Sequence, residues 1–339
     1  MTKNRKLLLH IGPHKTGSTA IQRGLESQAG ALASNDWKLE RFTTMQGGPH
    51  RLADLLSVDR REEARPYSHQ LRNATDNIIL SSENFSRLNE AQARDFVEAI
   101  GFDEIRVVYY LRNPLTRLES AWRERVKHGY RYTLVEFIAG RLARPFNDAD
   151  INDSLKIQPW ANAVGLSALD IHLYDKIDDV SAHFLSTYFP EVTTESCFQQ
   201  SKVNLSYGAE KTEILRALAG FQTHLLNNRD YDDDIDALRA QISRISTGGS
   251  FDYRREFTLS MNSPVMMRLE KMLSEYFGNC LIPRPESELL FEKRTVTWNY
   301  LAPEIWLEQP DLTAKLFTLR QKLLDELGNP IFDQRLKKL

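Results

Sequence analysis

Cysteine is scarce in this chain: Cys197 and Cys280 are the only two among 339 residues. Two thiols cannot build a disulfide framework or a four-ligand zinc site, so a reducing, cytoplasmic setting is the expected home. Long apolar runs are missing too, and nothing approaches the roughly 18 to 20 residues that a membrane span needs. Charge of one sign is nearly absent in excess: Lys and Arg number 44 against 46 Asp and Glu, for a net charge of −2. That balance removes the electrostatic footprint of a general nucleic-acid binder. There is no internal repeat and no low-complexity linker, which excludes solenoids and tethered arrays. What remains, with 41% hydrophobic and 27% charged residues, is the composition of an ordinary globular protein. The basic start, Met1 to Lys6, followed by Leu-Leu-Leu-His-Ile, imitates a signal peptide. The apolar run breaks at His10 and Gly12 without a small-residue cleavage site, which predicts a short tail entering a first strand.

The first half alternates short apolar runs with helical patterns, the mark of an α/β fold with a mainly parallel sheet. Strands are predicted at Lys6 to Ile11, Asn77 to Ser82, Ile105 to Leu111 and Ala168 to Tyr174, each too continuously apolar for a half-exposed hairpin. Ile21, Leu25, Ala29 and Leu32 fall on one helical face, and Leu115, Leu118, Trp122 and Val126 repeat the stripe after the third strand. The second half reads as helices: Ala209 to Asn227, Asp234 to Ile245, Pro264 to Phe277 and Asp311 to Leu327. Asp232-Asp233-Asp234 reads as a solvated helix start, where negative side chains favour the dipole. The expected organisation is an α/β core over residues 1–206 with a helical extension, 207–339, packed on it. Those helices could pair between chains as a homo-oligomer or merely cover the sheet.

Leu9 to Gln22 runs from strand through a glycine-containing turn straight into a helix, the layout of a phosphate cradle. Gly12 and Gly17 permit the turn, amides at the helix start point at an anion, Lys15 brings positive charge, and Ser18 and Thr19 bring hydroxyls. Measured against the nucleoside triphosphate loop Gly-x-x-x-x-Gly-Lys-Ser/Thr, the two glycines fit but Ser18 stands where lysine is required. The lysine lies three positions earlier, and no second acidic motif offers to hold magnesium, so ATP chemistry is the weaker reading. A second element, Val107 to Trp122, is a strand ending in Arg112-Asn113-Pro114 followed by a helix carrying Ser120. Arg112 there offers a planar fork suited to phosphate, and the Asn-Pro pair turns the chain. Taken singly, Arg112 reads equally as a surface ion pair and Ser120 as a helix filler. Two anion sites on two strand ends point to a ligand with phosphates at both ends.

Lys15-Thr16-Gly17-Ser18-Thr19 resembles the 5′-phosphosulfate loop of sulfotransferases that use 3′-phosphoadenosine 5′-phosphosulfate (PAPS), commonly Lys-x-Gly-Thr-Thr. The Arg112 element resembles the same family's 3′-phosphate motif, with its serine eight residues after the arginine. The resemblance spans roughly residues 6 to 206. It implies a three-layer α/β fold like that of P-loop nucleoside triphosphate hydrolases, and in-line sulfuryl transfer to a hydroxyl or amine with no metal. Gly12, Pro13, His14, Lys15, Thr16, Gly17, Ser18 and Thr19 would hold the 5′ end, and Lys15 would also stabilise charge on the bridging oxygen. Arg112 and Ser120 would hold the 3′-phosphate, Tyr174 would abut the adenine, and Lys202, in Ser201 to Ser206, would reach the 3′ end. The product is 3′-phosphoadenosine 5′-phosphate (PAP).

In the same family the strand before the arginine element ends in the general base, a histidine in cytosolic members and a glutamate in several carbohydrate-directed ones. Glu83 matches that position, and its burial predicts a raised pKa suited to proton removal near neutrality. Its other reading is a strand-end cap or a partner of Lys15. His50, in the glycine-rich loop Gly47 to Leu52, is the rival base, and its plainer reading is an exposed loop histidine. The family's Gly-x-x-Gly-x-Trp-Lys lid is absent, which suggests a bacterial or carbohydrate-type member. Arg123, Arg125, Lys127, Arg131, Arg141 and Arg144, with Tyr130 and Tyr132 interleaved, suit a carbohydrate or anionic acceptor, with a small alcohol as the alternative and a solvated helix face as the plainer explanation. An ATP-dependent sugar or nucleotide kinase and a non-catalytic PAP-binding module are the rival functions.

Overall fold

The computed structural model describes residues 4–42, 47–192, 208–218, 229–248, 253–283 and 289–327. The chain divides into two compact units, one made of Met1–Pro114, Pro145–Ser201 and Asn262–Lys293, the other of Leu115–Arg144, Lys202–Met261 and Arg294–Leu339.

The first unit is built on a six-stranded sheet. Its strands are β1 (Lys6–His10), β2 (Trp37–Leu39), β3 (Asn77–Ser81), β4 (Glu104–Leu111), β5 (Leu169–Leu173) and β7 (Leu281–Ile282), in the order β2-β3-β1-β4-β5-β7. Every pairing in it is parallel. Continuous apolar strands are what a parallel sheet covered on both faces requires, and Leu7, Leu8 and Leu9 are all buried. On one face Leu8, Ile79, Val108 and Tyr110 pack against Ile21 and Leu25 of helix α1 (Ser18–Ser27) and against Phe184 and Leu185 of the helix Val180–Tyr188. A Cβ at Gly24 would stand 2.1 Å from Ser181 Oγ, so a glycine is what lets these two helices approach. Alternation along β4 turns Tyr109 to the opposite face, where its hydroxyl donates to Asp153. Phe85, Phe96 and Trp160, from a short turn and two further helices, form a ring cluster with centroids 5.5 to 6.4 Å apart. The result is a three-layer α/β unit.

β1 has β3 on one side and β4 on the other, so the strand order reverses at β1. In an open parallel sheet, the crevice outside the carboxyl ends at such a point is where ligands bind.

The second unit pairs β6 (Arg254–Ser260) with β8 (Thr295–Leu301) antiparallel, with Phe257 stacked on the buried Trp298 at 5.7 Å. Among its helices are Leu134–Leu142, opened by a Thr133–Glu136 capping box, then Ala209–Ala217, Arg229–Gly248 and Pro310–Leu327. Asp232 to Asp234 fall in the first turns of Arg229–Gly248, the helix start expected of them.

Two departures from the sequence reading have physical causes. The stretch after residue 206 is not purely helical: it contains β6, β7 and β8, and β7 belongs to the main sheet. β7 has only two residues, too few to show a period, whereas the buried positions Val296 and Trp298 of β8 do alternate. The helix predicted through Leu32 is two helices, broken at Gln28, with Leu32 buried from the second, Ala29–Ser34. Residues 219–228, the end of another predicted helix, lie outside the described residues. No described helix is long and apolar enough to cross a membrane.

Candidate functional site

The carboxyl ends of the adjacent strands β3, β1 and β4 each deliver a predicted residue. β1 runs through Ile11 and Gly12 into the loop that ends at Gly17, which caps α1 with φ 75° and offers no side chain. Gly17 therefore gives the first N–H groups of α1 no side-chain cap, the arrangement that attracts an anion. Gly12 holds φ 96°, and a Cβ there would fall 2.7 Å from Glu83 Cβ and 2.8 Å from its Cα. Only glycine brings the two chain segments this close. At Gly17 an added Cβ would meet Val180 Cγ1 at 2.4 Å.

Within the loop, Pro13 is buried and its carbonyl accepts from Thr16 Oγ1 at 2.6 Å and, at a long 3.4 Å, from Ser18 Oγ. These hydroxyls brace the turn in this structure, while Thr19 and His14 are exposed. Lys15 takes a left-handed backbone, φ 69°, which turns its carbonyl to meet Arg112.

Arg112 follows β4 and donates from Nη1 to the Lys15 carbonyl at 2.5 Å. Its guanidinium carbon lies 5.2 Å from the centre of the Tyr174 ring, which is half-buried after β5. The Arg-Asn-Pro turn is fixed from both sides. The Asn113 N–H donates to Asp175 Oδ2 at 2.7 Å, and the Asn113 side chain donates to the Lys293 carbonyl at 2.8 Å. Asp175 was not singled out by the sequence, because no local pattern marks a carboxylate 62 residues away as a turn clamp.

Glu83 lies two residues past β3, opening the short 3-10 turn Glu83–Arg87. Its side chain is 18% exposed and faces two imidazoles, His14 Nδ1 at 3.4 Å from Oε1 and His50 Nδ1 at 3.7 Å from Oε2. Gln22 Nε2, one turn past Ser18 on α1, reaches Oε2 at 3.4 Å. Burial disfavours the charged form of Glu83, but His14, the group's own backbone hydrogen bond and His50 together outweigh it and hold the carboxyl down at about 2. The expectation of a raised pKa is thus overturned: the partners exceed the desolvation. His50 also differs from its expected setting, since Pro49 in the first turn starts a helix, Gly48–Ser57, and His50 lies inside it. Its Nδ1 is 2.8 Å from the buried Ser82 Oγ. Ser82 and Gln22 were missed by the sequence reading; the spacing of Gln22 four residues after Ser18 was the available signal.

Of the remaining predicted residues, Ser120 is half-buried on the helix Pro114–Lys127, in the second unit. Lys202 lies outside the described residues. In the basic stretch, Arg123 pairs with Glu119 at 2.5 Å and Lys127 with Glu124 at 3.3 Å. Arg125 and Arg141 lie over Phe137, 5.3 and 4.9 Å from its centre.

No family model matches the chain, and none of the curated proteins matches it. Among solved structures it resembles a sulfotransferase from Alicyclobacillus acidocaldarius, at 12% identity and a TM-score of 0.40, with 71% of this chain and 94% of that one covered. At that identity and score the likeness adds nothing to what the residues themselves carry.

Proposed function

We propose that the protein is a sulfotransferase that moves the sulfuryl group of PAPS to a hydroxyl or amine, with a carbohydrate or small alcohol as acceptor. The observation that carries the reading is the meeting of its two motifs: Arg112 bonds the backbone of Lys15, 97 residues away, beside an uncapped helix start. Phosphate groups suit both parts, the helix amides for one and the arginine fork for the other. A carboxylate with two histidines adjoins the loop through Gly12, where proton removal from an acceptor is needed. The loop amides and Lys15 would stabilise charge on the departing phosphate, and Arg112 would align it.

Calorimetric titration with PAP, beside ATP and magnesium, tests the reading. Wild type is expected to bind PAP at micromolar level, about −8 kcal/mol. Arg112→Ala should weaken it by about ten- to hundredfold, the worth of a charge-assisted bond. Binding of ATP with magnesium and not PAP would sink the reading in favour of a kinase.

A further inference from the structure

Glu83 presents one carboxylate oxygen to each of two imidazoles, and in both rings it is Nδ1 that faces it. On the His50 side a second oxygen converges on the same atom: Ser82 Oγ, wholly buried, 2.8 Å from Nδ1. Ser82 Oγ also accepts the Asn84 N–H at 3.2 Å, which fixes where that oxygen sits. The helix bearing His50 is clamped to the Glu83 turn one helical turn further on. There Asp54 Oδ1 accepts from Asn84 Nδ2 at 3.0 Å and from Arg87 Nη1 at 2.9 Å. The anionic Glu83 oxygen beside Nδ1 favours the ring form that carries its hydrogen there, in which Ser82 Oγ accepts, and that form leaves the lone pair on Nε2. Among the described residues Nε2 has no protein partner.

Building on the transfer reading above, we infer that His50, and not Glu83, takes the acceptor's proton, through Nε2. Glu83 and Ser82 are positioning residues that hold its Nδ1–H form. As the acceptor oxygen bonds to sulfur, the bond from sulfur to the 5′-phosphate oxygen breaks and its electron pair leaves with the phosphate. The acceptor's proton passes to Nε2, and the imidazolium so formed lies between Ser82 Oγ and the ionised Glu83. A carboxylate held that far toward its charged form is a weak proton acceptor, whereas beside an imidazolium the same charge is useful.

The test needs no knowledge of the acceptor, because water can serve as one: sulfate release from radiolabelled PAPS is measured with PAP binding, and ring 15N shifts of the full chain report the tautomer. His50 is expected as Nδ1–H in wild type. Ser82→Ala and Glu83→Gln should move it toward the Nε2–H form, and Ser82→Thr, which keeps the hydroxyl, should not. His50→Asn should cut sulfate release by about a hundredfold or more, and Glu83→Gln by about tenfold, with PAP affinity kept. An Nε2–H ring in wild type overturns the inference, as does a His50→Asn protein that keeps most of its release while Glu83→Gln loses it. Wild type that neither binds PAP nor releases sulfate overturns the transfer reading and the base assignment with it. Release that survives in His50→Asn overturns the assignment alone.

Discussion

Two groups of histidines lie in the same α/β unit and in opposite surroundings. His14 and His50 are 57% and 39% exposed and flank an ionised carboxylate. His10, only four residues before His14, is sealed: its ring meets Tyr110 and Phe184 at 5.9 and 5.8 Å, and Nδ1 bonds Ser81 Oγ at 2.8 Å. A row of contacts continues from it across the strands, through buried His172 and the half-buried His183 and Tyr188. Tyr110 Oη is 3.0 Å from His183 Nδ1, the His172 and His183 rings are 4.7 Å apart, and His172 Nε2 is 2.7 Å from Tyr188 Oη. Tyr188 in turn donates to Asp170, which pairs with Arg106 at 3.1 Å. Burial pushes His10 down to about 4 against the opposing charge of Glu83. Burial, with His183 adding to it, brings His172 to about 4 as well. An imidazole is therefore exposed beside a carboxylate in one place and a neutral packing group in the other, and the burial around it decides which.

The sharpest way to separate the two groups is acid. A buried histidine whose folded pKa lies below its unfolded 6.5 binds fewer protons folded than unfolded, so stability falls as pH drops from 6.5 toward 4. His10 and His172 are each worth about 3 kcal/mol over that window, enough together to unfold many domains. Glu83 has the opposite origin and a later window: its stabilisation is complete above 4.5 and is lost between 4.5 and about 2. Urea midpoints taken from pH 7.5 to 4 should decline from about 6.5 in wild type, less steeply in His10→Phe, and more steeply toward pH 4 in Glu83→Gln, which removes the charge that opposes the lowering of His10. A flat wild-type curve down to pH 5 would show that the row is not sealed.

The open group depends instead on one glycine. Gly12→Ala forces a side chain into a left-handed backbone and against Glu83 Cβ at 2.7 Å. A loss of about 2 to 4 kcal/mol is expected, measured by denaturant unfolding, and the His50 ring signal should shift with it. The same substitution leaves the sealed row's partners untouched, so the acid dependence between pH 6.5 and 4 should survive. If that dependence vanished instead, the two groups would not be separable.

Most of this architecture was legible because it is written locally. The apolar runs located β1, β3, β4 and β5 to within a residue or two at each end, and the loop and the Arg-Asn-Pro turn announce themselves by glycine, proline and charge. That Glu83 and the loop would adjoin was likewise readable, since both leave neighbouring strands. What was not legible depends on groups distant in sequence. The ionised state of Glu83 is set by His14 and His50, 69 and 33 residues away, and burial alone argued for the opposite sign. Ser82 gives no outward sign, because a serine before a short turn reads as a cap until the structure shows the imidazole 32 residues upstream resting on it. β7 left no trace because two residues have no periodicity.

The smallest effect tests how tightly the open group is drawn. Gln22 Nε2 reaches both the Ser81 carbonyl and Glu83 Oε2, each at 3.4 Å, long enough that neither bond is strong. Gln22→Ala should therefore cost less than about 1 kcal/mol in unfolding. It removes a donor from the Glu83 oxygen that faces His50, so whatever effect it has should register in the His50 ring signal and not in the acid dependence of the buried row. A loss above about 2 kcal/mol would mean that Glu83 relies on Gln22 more than on its histidines, since only the removal of a partner from a buried charge costs that much. The carboxylate would then be anchored by α1, and the distinction between an open, histidine-held group and a sealed one would have to be redrawn around that helix.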